Sequence, residues 1–175
     1  PAGKTTKLSV GVFEPIEFGP YDYGTAPRFE AEVSVNPTFG QDKGLTLFAS
    51  AAFQTAENQS DTSFVGVNEG DSKTAVGIAG GARLNIVGID LTASGFYAKG
   101  MGAIFMGDAF IGTGELNQGV DPDGDLQDSY GFIAQAMYTL PSKKLSFGGS
   151  YGGNFISDAN GYKQTALTFQ GTYHW

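Results

Sequence analysis

The chain has 175 residues, the size of a single domain. Its 27 glycines, with 13% aromatic and 16% charged residues, suit many short strands joined by turns and suit helices poorly. A net charge of −8 argues against a nucleic-acid partner, which needs a basic footprint, and the lack of cysteine excludes disulfides and thiolate metal sites.

No apolar run reaches the roughly 18 residues that a membrane helix needs. That excludes helical spans. It leaves open barrel strands, whose alternating signal is weak per segment. The chain begins at Pro1 with no signal peptide in view, so it reads as a mature protein or a piece of a longer one.

The first predicted strand is Thr6 to Glu14, with Leu8, Val10 and Val12 on one face and Lys7, Ser9, Gly11 and Phe13 on the other. Pro15–Ala26, rich in Pro, Gly and Tyr, reads as a loop. Pro27 to Asn36 sets Phe29, Ala31, Val33 and Val35 against Arg28, Glu30, Glu32 and Ser34. After the connection Pro37–Gly44, the third strand sets Leu45, Leu47, Ala49, Ala51 and Phe53 against Thr46, Phe48, Ser50, Ala52 and Gln54. A polar loop, Thr55 to Ser72, separates it from a fourth strand, Lys73 to Ile86. Val87-Gly88 is a tight turn into a fifth strand, where Leu91, Ala93, Gly95 and Tyr97 oppose Asp90, Thr92, Ser94 and Phe96.

The longest loop runs from Lys99 to Ser129. The sixth strand, Tyr130 to Leu140, puts Phe132, Ala134 and Tyr138 opposite Ile133, Gln135 and Met137. Pro141–Lys144 turns the chain into a seventh strand, where Leu145, Phe147 and Tyr151 oppose Ser146, Gly148 and Ser150; Phe155 to Tyr162 is then expected to loop. Lys163 to Trp175 alternates without a fault. Leu167, Phe169, Tyr173 and Trp175 share one face, and Gln164, Thr168, Gln170 and His174 the other.

The connections alternate long and short. That is the rhythm of an all-β, antiparallel, up-and-down transmembrane barrel with long loops on one side and short turns on the other. Both termini then fall on the short-turn, periplasmic side. In this orientation Tyr97, Tyr130 and Tyr151 are expected at the outer strand ends and Tyr138, Tyr173 and Trp175 at the inner ends, all on the apolar face. Two such girdles mark a bilayer's boundaries. A plain strand preference of aromatics would scatter them, as Phe48 and Phe96 are scattered onto the polar face.

Three stretches carry a resemblance: PRFEAEV (Pro27–Val33), GARLNIVGIDLTASGFYAKGMG (Gly81–Gly102), and DSYGFIAQAMYTL (Asp128–Leu140) followed by KLSFGGSYG (Lys144–Gly152). Together they resemble a stretch from within the general diffusion porins of Gram-negative bacteria, through strand-and-turn patterns rather than a catalytic signature. The resemblance implies a larger, commonly sixteen-stranded barrel, a homotrimer, and a place in the outer membrane in contact with its lipid. About eight strands are present here, and no counterpart of the region bearing that family's constriction loop is identifiable.

The polar face carries Lys7, Arg28, Glu30, Glu32, Lys73, Arg83 and Asp90 as candidate pore-lining charges. Opposed charges across a lumen sort solutes by sign. The same residues equally suit pairs that hold strands in register. With Glu30 and Glu32 inward, cations are expected to concentrate near the mouth.

In the longest loop Asp121, Asp123, Asp125 and Asp128 surround Gly124. Calcium takes several carboxylates on a tight turn, but the glycine is not at the EF-hand position, and a solvated acidic loop explains the run as well. The apolar residues Ala103, Ile104, Phe105, Met106, Phe110 and Ile111 open the same loop and suit a fold over the mouth, a neighbouring subunit or lipid. His174, the sole histidine, has no acid nearby for a triad, and the glycines of GIAGGAR lie inside a strand rather than at a phosphate-binding turn. No catalytic residue, metal or cofactor is expected.

The function these features predict is passive diffusion of small hydrophilic solutes and ions through a wet lumen. The alternative is a complete eight-stranded barrel with a structural or adhesive role. Two expectations separate these readings. Leu47, Ala93, Phe132, Phe147 and Phe169 should face outward, with Ser50, Ser94, Gln135, Ser150 and Gln170 inward. A segment of a larger barrel should also show no ladder between the first and last strands, whereas a closed eight-stranded one requires it.

Overall fold

The computed structural model describes residues 4–16, 21, 23–37, 43–59, 67–101, 119–121, 123–157 and 163–173. They form one antiparallel sheet: β1 (Lys4–Phe13), β2 (Tyr23–Gly24), β3 (Arg28–Pro37), β4 (Lys43–Glu57), β5 (Ser72–Ile86), β6 (Ile89–Lys99), β7 (Asp128–Thr139), β8 (Leu145–Ser157) and β9 (Lys163–Tyr173). The order is β1-β3-β4-β5-β6-β7-β8-β9, an up-and-down meander, with the two-residue β2 pairing the end of β4. Every neighbour in the path is also the next long strand in sequence, so each connection is a hairpin. Among the described residues no ladder joins β1 to β9, and the sheet is open.

The turns follow from local chemistry. Val87 and Gly88 both have positive φ, 40° and 83°, as the two central residues of a type I′ hairpin require. Gly88 has a second reason to be glycine: a Cβ there would sit 2.9 Å from the Thr139 carbonyl oxygen. Its own carbonyl accepts a hydrogen bond from the Thr139 amide at 2.7 Å. In the Pro141–Lys144 turn, Lys143 takes φ 60°, and the Leu140 amide donates to the Leu145 carbonyl at 2.9 Å.

Two strands outrun the sequence expectation. β4 continues through Thr55, Ala56 and Glu57, all paired with β5. β8 continues through Gly153, Asn154, Phe155 and Ile156 to Ser157, opposite Phe132 back to Asp128. A Gly-Gly-Asn run signals a turn locally. A full ladder with β7 outweighs that signal, because each paired amide avoids the cost of an unmet donor or acceptor.

The two faces are chemically inverted relative to a soluble sheet. Leu8 is 73% exposed and Phe169 80%, with Leu47, Ala93, Phe132 and Phe147 exposed beside them on the apolar face. On the other face Ala75 and Ala98 are 0% exposed, and Ser50, Ser94, Gln135 and Ser150 are half-buried. Gln170, on the edge strand β9, is exposed despite its polar-face register, since no strand flanks β9 on that side among the described residues.

Lys43, Ile86, Ile89, Tyr138, Phe147 and Gly171 form one row of successive partners from β4 to β9.

Candidate functional site

The polar face is small-residue backbone refilled by a few large side chains laid flat. Phe48 opposes Gly81 across β4–β5, Phe96 opposes Gly131 across β6–β7, and Met137 opposes Gly148 across β7–β8. In each case a Cβ on the glycine would stand 2.5 to 2.6 Å from an atom of that partner's side chain. A large side chain seated on a cross-strand glycine shields the backbone that the glycine leaves bare and pins the register. This accounts for Phe48 and Phe96 on a face otherwise built of Ser, Thr, Gly and Ala.

All seven candidate charges occupy the polar face or its upper edge, and most pair locally. The Arg28 Nε donates to Glu30 Oε1 at 2.7 Å, two positions along the same strand, while its guanidinium carbon lies 5.2 Å from the Phe13 ring centre. The Arg83 Nε donates to both Asp90 carboxylate oxygens, at 3.0 and 2.8 Å, across the β5–β6 hairpin, and its Nη2 makes a third contact to Asp90 Oδ2. Lys73 Nζ donates to Asp125 Oδ1 at 2.9 Å, joining the top of β5 to the connection before β7. Lys7 and Glu32 have no ion-pair partner among the described residues. A cleft of 290 Å³ lies beside Glu32, lined by Ser9, Gly11, Phe13, Glu30, Ser50 and Ala52. The register-holding role therefore describes Arg83 and Asp90, the Arg28–Glu30 pair lies within one strand, and Glu32 is left facing the cleft.

At the long-connection end the polar face is covered. Tyr21, Met101 and Val120 are buried against Ala52, Ala56, Ala75 and Ala98, with Val67, Phe96 and Leu126 packed around them. Polar contacts tie these connections together. The Tyr21 hydroxyl donates to the Gly124 carbonyl at 3.2 Å. The wholly buried Gln54 side chain grips the Ile16 backbone twice, accepting from its amide at 3.0 Å and donating to its carbonyl at 2.6 Å. Burial pushes the Tyr21 pKa up, so the phenol stays protonated and remains a donor.

Gly100 and Gly124 have φ of 75° and 81° and no room for a side chain. A Cβ on Gly100 would press on Leu126 and Ala75, and one on Gly124 on Val67.

The acidic run serves this covering. Asp121 Oδ1 accepts from the amides of Asp123 and Asp125 at 3.0 and 2.9 Å, closing a tight turn. Asp125 turns away to Lys73, and Asp128 Oδ1 accepts from the Tyr97 hydroxyl at 2.8 Å. Lys73 holds the Asp125 carboxyl below the usual carboxylate range. The carboxylates of Asp121, Asp125 and Asp128 are committed to different partners, and no metal-holding cluster is found among the described residues.

The aromatic positions divide. Tyr97 and Tyr130 face each other near the long-connection ends of β6 and β7, on the apolar face. Tyr130 stacks on Phe155 at 5.0 Å, so Phe155, expected in a loop, holds the third position of that row. Tyr151 instead sits midway along β8, opposite Ala134 and Leu167, because β8 runs six residues past it. At the other end Tyr138 meets Phe147 edge-on at 5.6 Å, and Tyr173 opposes Leu145. His174, Trp175 and the apolar stretch Ala103–Ile111 lie outside the described residues.

Sequence reasoning missed Tyr21, Gln54, Met101 and Val120 as a group. One signal was available: Gln54 and the alanines at 52, 56, 75 and 98 all fall on the polar-face register near one end.

The fold class that emerges is an all-β, up-and-down antiparallel sheet whose exterior is apolar and whose sheltered face is polar. Comparison with known protein families, with curated proteins and with solved structures gives no match to this chain, so function is argued from the residues alone.

Proposed function

We propose that this chain forms the wall of an outer-membrane diffusion channel for small hydrophilic solutes and ions, working passively and without a cofactor. The observation that carries the proposal is the inversion of the two faces. Side chains such as Leu8, Ile78, Leu167 and Phe169 stand fully outward, while the sheltered face holds Gln54, Ser129 and the charged set. Roughly 25 cal/mol per Å² of exposed apolar surface would oppose this arrangement in water. Lipid removes that penalty. The rows Tyr97–Tyr130–Phe155 and Tyr138–Phe147 then sit where amphipathic and aromatic rings are favoured at the two interfaces.

The open β1 and β9 edges favour a larger, porin-type barrel, with further strands completing the wall and three such barrels assembling as the family resemblance implies. A complete eight-stranded anchor would require β1 to pair with β9 and its interior to fill with side chains.

Single-channel recording in a planar bilayer tests the proposal. Ohmic steps that scale with salt concentration are expected. Current indistinguishable from the detergent control would refute the channel.

A further inference from the structure

Two features of the apolar side of the sheet fall in one column, the β7–β8 hairpin. The first is a groove of 540 Å³. Ala134, Ala136 and Gly149 form its floor, and Leu91, Tyr151 and Leu167, all exposed, stand along its sides. The second is the tip of the hairpin. Lys143 and Lys144 stand there, both exposed, and neither has an ion-pair partner among the described residues. Local bonds fix the tip: the Lys143 amide donates to the Leu140 carbonyl at 2.8 Å, and the Leu140 amide to the Leu145 carbonyl at 2.9 Å. Between groove and tip, Tyr138 and Phe147 meet edge-on.

The chain carries 18 acidic and 10 basic residues, so a rim that keeps its lysines clear of acids runs against the composition. Among the described residues the short-turn end holds one carboxylate, Asp90, which lies on the polar face and is bonded to Arg83.

We propose that this column holds one anionic phospholipid of the leaflet on the short-turn side, with an acyl chain along the groove and its phosphate on Lys143 and Lys144. The inference rests on the lipid-facing reading of the apolar face given above. Length supports it. Lys144 is seven residues from Tyr151, about 23 Å along the strand. At a barrel tilt of about 40° that is about 18 Å along the membrane normal. One leaflet offers about 15 Å of hydrocarbon and a headgroup layer of about 5–7 Å. A phosphate at the two lysines therefore leaves its chain ending beside Tyr151. Tyr138 and Phe147 then lie at the interface, where aromatic rings are favoured. A second copy of the chain could cover Leu91 and Leu167 equally well. At the same depth, however, it would present the same carboxylate-poor rim and supply no anion to the lysines.

The test uses the intact protein in detergent, titrated with phosphatidylglycerol and with phosphatidylcholine of the same acyl chains. Native mass spectrometry reads the lipids retained per chain. The wild type should retain one phosphatidylglycerol in preference to phosphatidylcholine. Lys143→Asn and Lys144→Gln should each lower that preference about fivefold, the scale of one lysine at an anionic surface. Asparagine accepts the φ of 60° at position 143, so the loss reports charge rather than the turn. Ala136→Phe fills the exposed groove and should abolish retention of that lipid while the oligomeric mass stays the same.

Equal retention of the two lipids by the wild type, or a preference that survives both lysine changes, would overturn the site and leave the apolar face in the bilayer. Loss of an oligomer on Ala136→Phe with retention unchanged would give the groove to a second copy and overturn the site as well. A wild type that stays dispersed without detergent and retains neither lipid would refute the lipid-facing reading itself, and the site with it.

Discussion

A charge placed on each face in turn distinguishes lipid from lumen most sharply. Ala93 and Ser94 are adjacent in β6, so they share a depth and differ only in face. Ala93 is exposed, opposes Ala82 and Ala134, and opens onto a groove walled by Leu84, Leu91, Ala136, Tyr151 and Leu167. No carboxylate stands in that groove. It lies four residues from Ile89 and six from Lys99, close to mid-strand. An arginine there meets the full mid-bilayer cost, about 2–4 kcal/mol for a lipid-facing barrel site. Ser94 opposes Gly81 and Ile133 and borders a 270 Å³ cleft with Asn154. An arginine at that position reaches polar groups and water.

Folding equilibria into phosphatidylcholine vesicles, followed through reversible guanidinium titration, give the comparison directly. Ala93→Arg should lower stability by about 2–4 kcal/mol and Ser94→Arg by less than about 1 kcal/mol. At about 1.4 kcal/mol per decade this separates the two by about fivefold or more. The opposite ranking would mean that the polar face meets lipid, and the channel geometry would fall with it.

Gly81→Ala should destabilise by about 1–2 kcal/mol, overpacking against the Phe48 ring and the Ala93 carbonyl less the gain from a stiffer unfolded chain; the loss should shrink in a Phe48→Ala background, and an additive double-mutant cycle would refute the seat. Val87 holds φ 40° with a β-branched side chain, so Val87→Asn should stabilise the β5–β6 hairpin by about 1 kcal/mol, read as a higher denaturant midpoint at unchanged slope. Asp125 has a folded pKa below its unfolded value, so its contribution is present above the unfolded pKa and is lost as pH falls through the folded one. Protection of residues 119–127, corrected for intrinsic exchange rates, should stay level from pH 7 to about 4 and fall below that; a decline starting at pH 6 would contradict the assignment. Glu32 has no ion-pair partner among the described residues, so Glu32→Gln should reduce a weak cation preference measured as the reversal potential across a salt gradient, whereas Glu30→Gln should change it less because Arg28 already offsets that charge.

The strands were legible because alternation with a period of two is both the sequence signal and the structural cause. Leu167, Phe169 and Tyr173 share a face for the same reason that they occupy odd positions. Val87-Gly88 and Pro141–Lys144 were legible because turn chemistry is local. What stayed hidden depends on register or on distant contacts. Phe96 makes sense on a polar face only once Gly131 is known to lie opposite, 35 positions later in the chain. Tyr21 and Gly124 are 103 residues apart, and Gln54 and Ile16 are 38 apart. Neither pair has a spacing rule. Phe155, Ile156 and Ser157 read as the start of a loop because nothing local marks them as strand, and only the β7 ladder claims them.

Small inward residues bear on lumen width only after their partners are counted. Gly81, Gly131 and Gly148 do not widen the space, since Phe48, Phe96 and Met137 lie over them. The alanines at 52, 56, 75 and 98 do not widen it either, since Tyr21, Met101 and Val120 fill that end. What remains open includes the clefts beside Ser94 and Ser150 and the strip along β1, β3 and β4 beside Ser9, Glu32 and Ser50, next to an unpaired edge. In a bilayer that edge is the most expensive feature of the described chain. Each backbone group left without a partner in hydrocarbon costs several kcal/mol, and both β1 and β9 present a full row of them. On the channel reading the partners that these edges need come from further strands, and Glu32 lies on the strip that those strands adjoin.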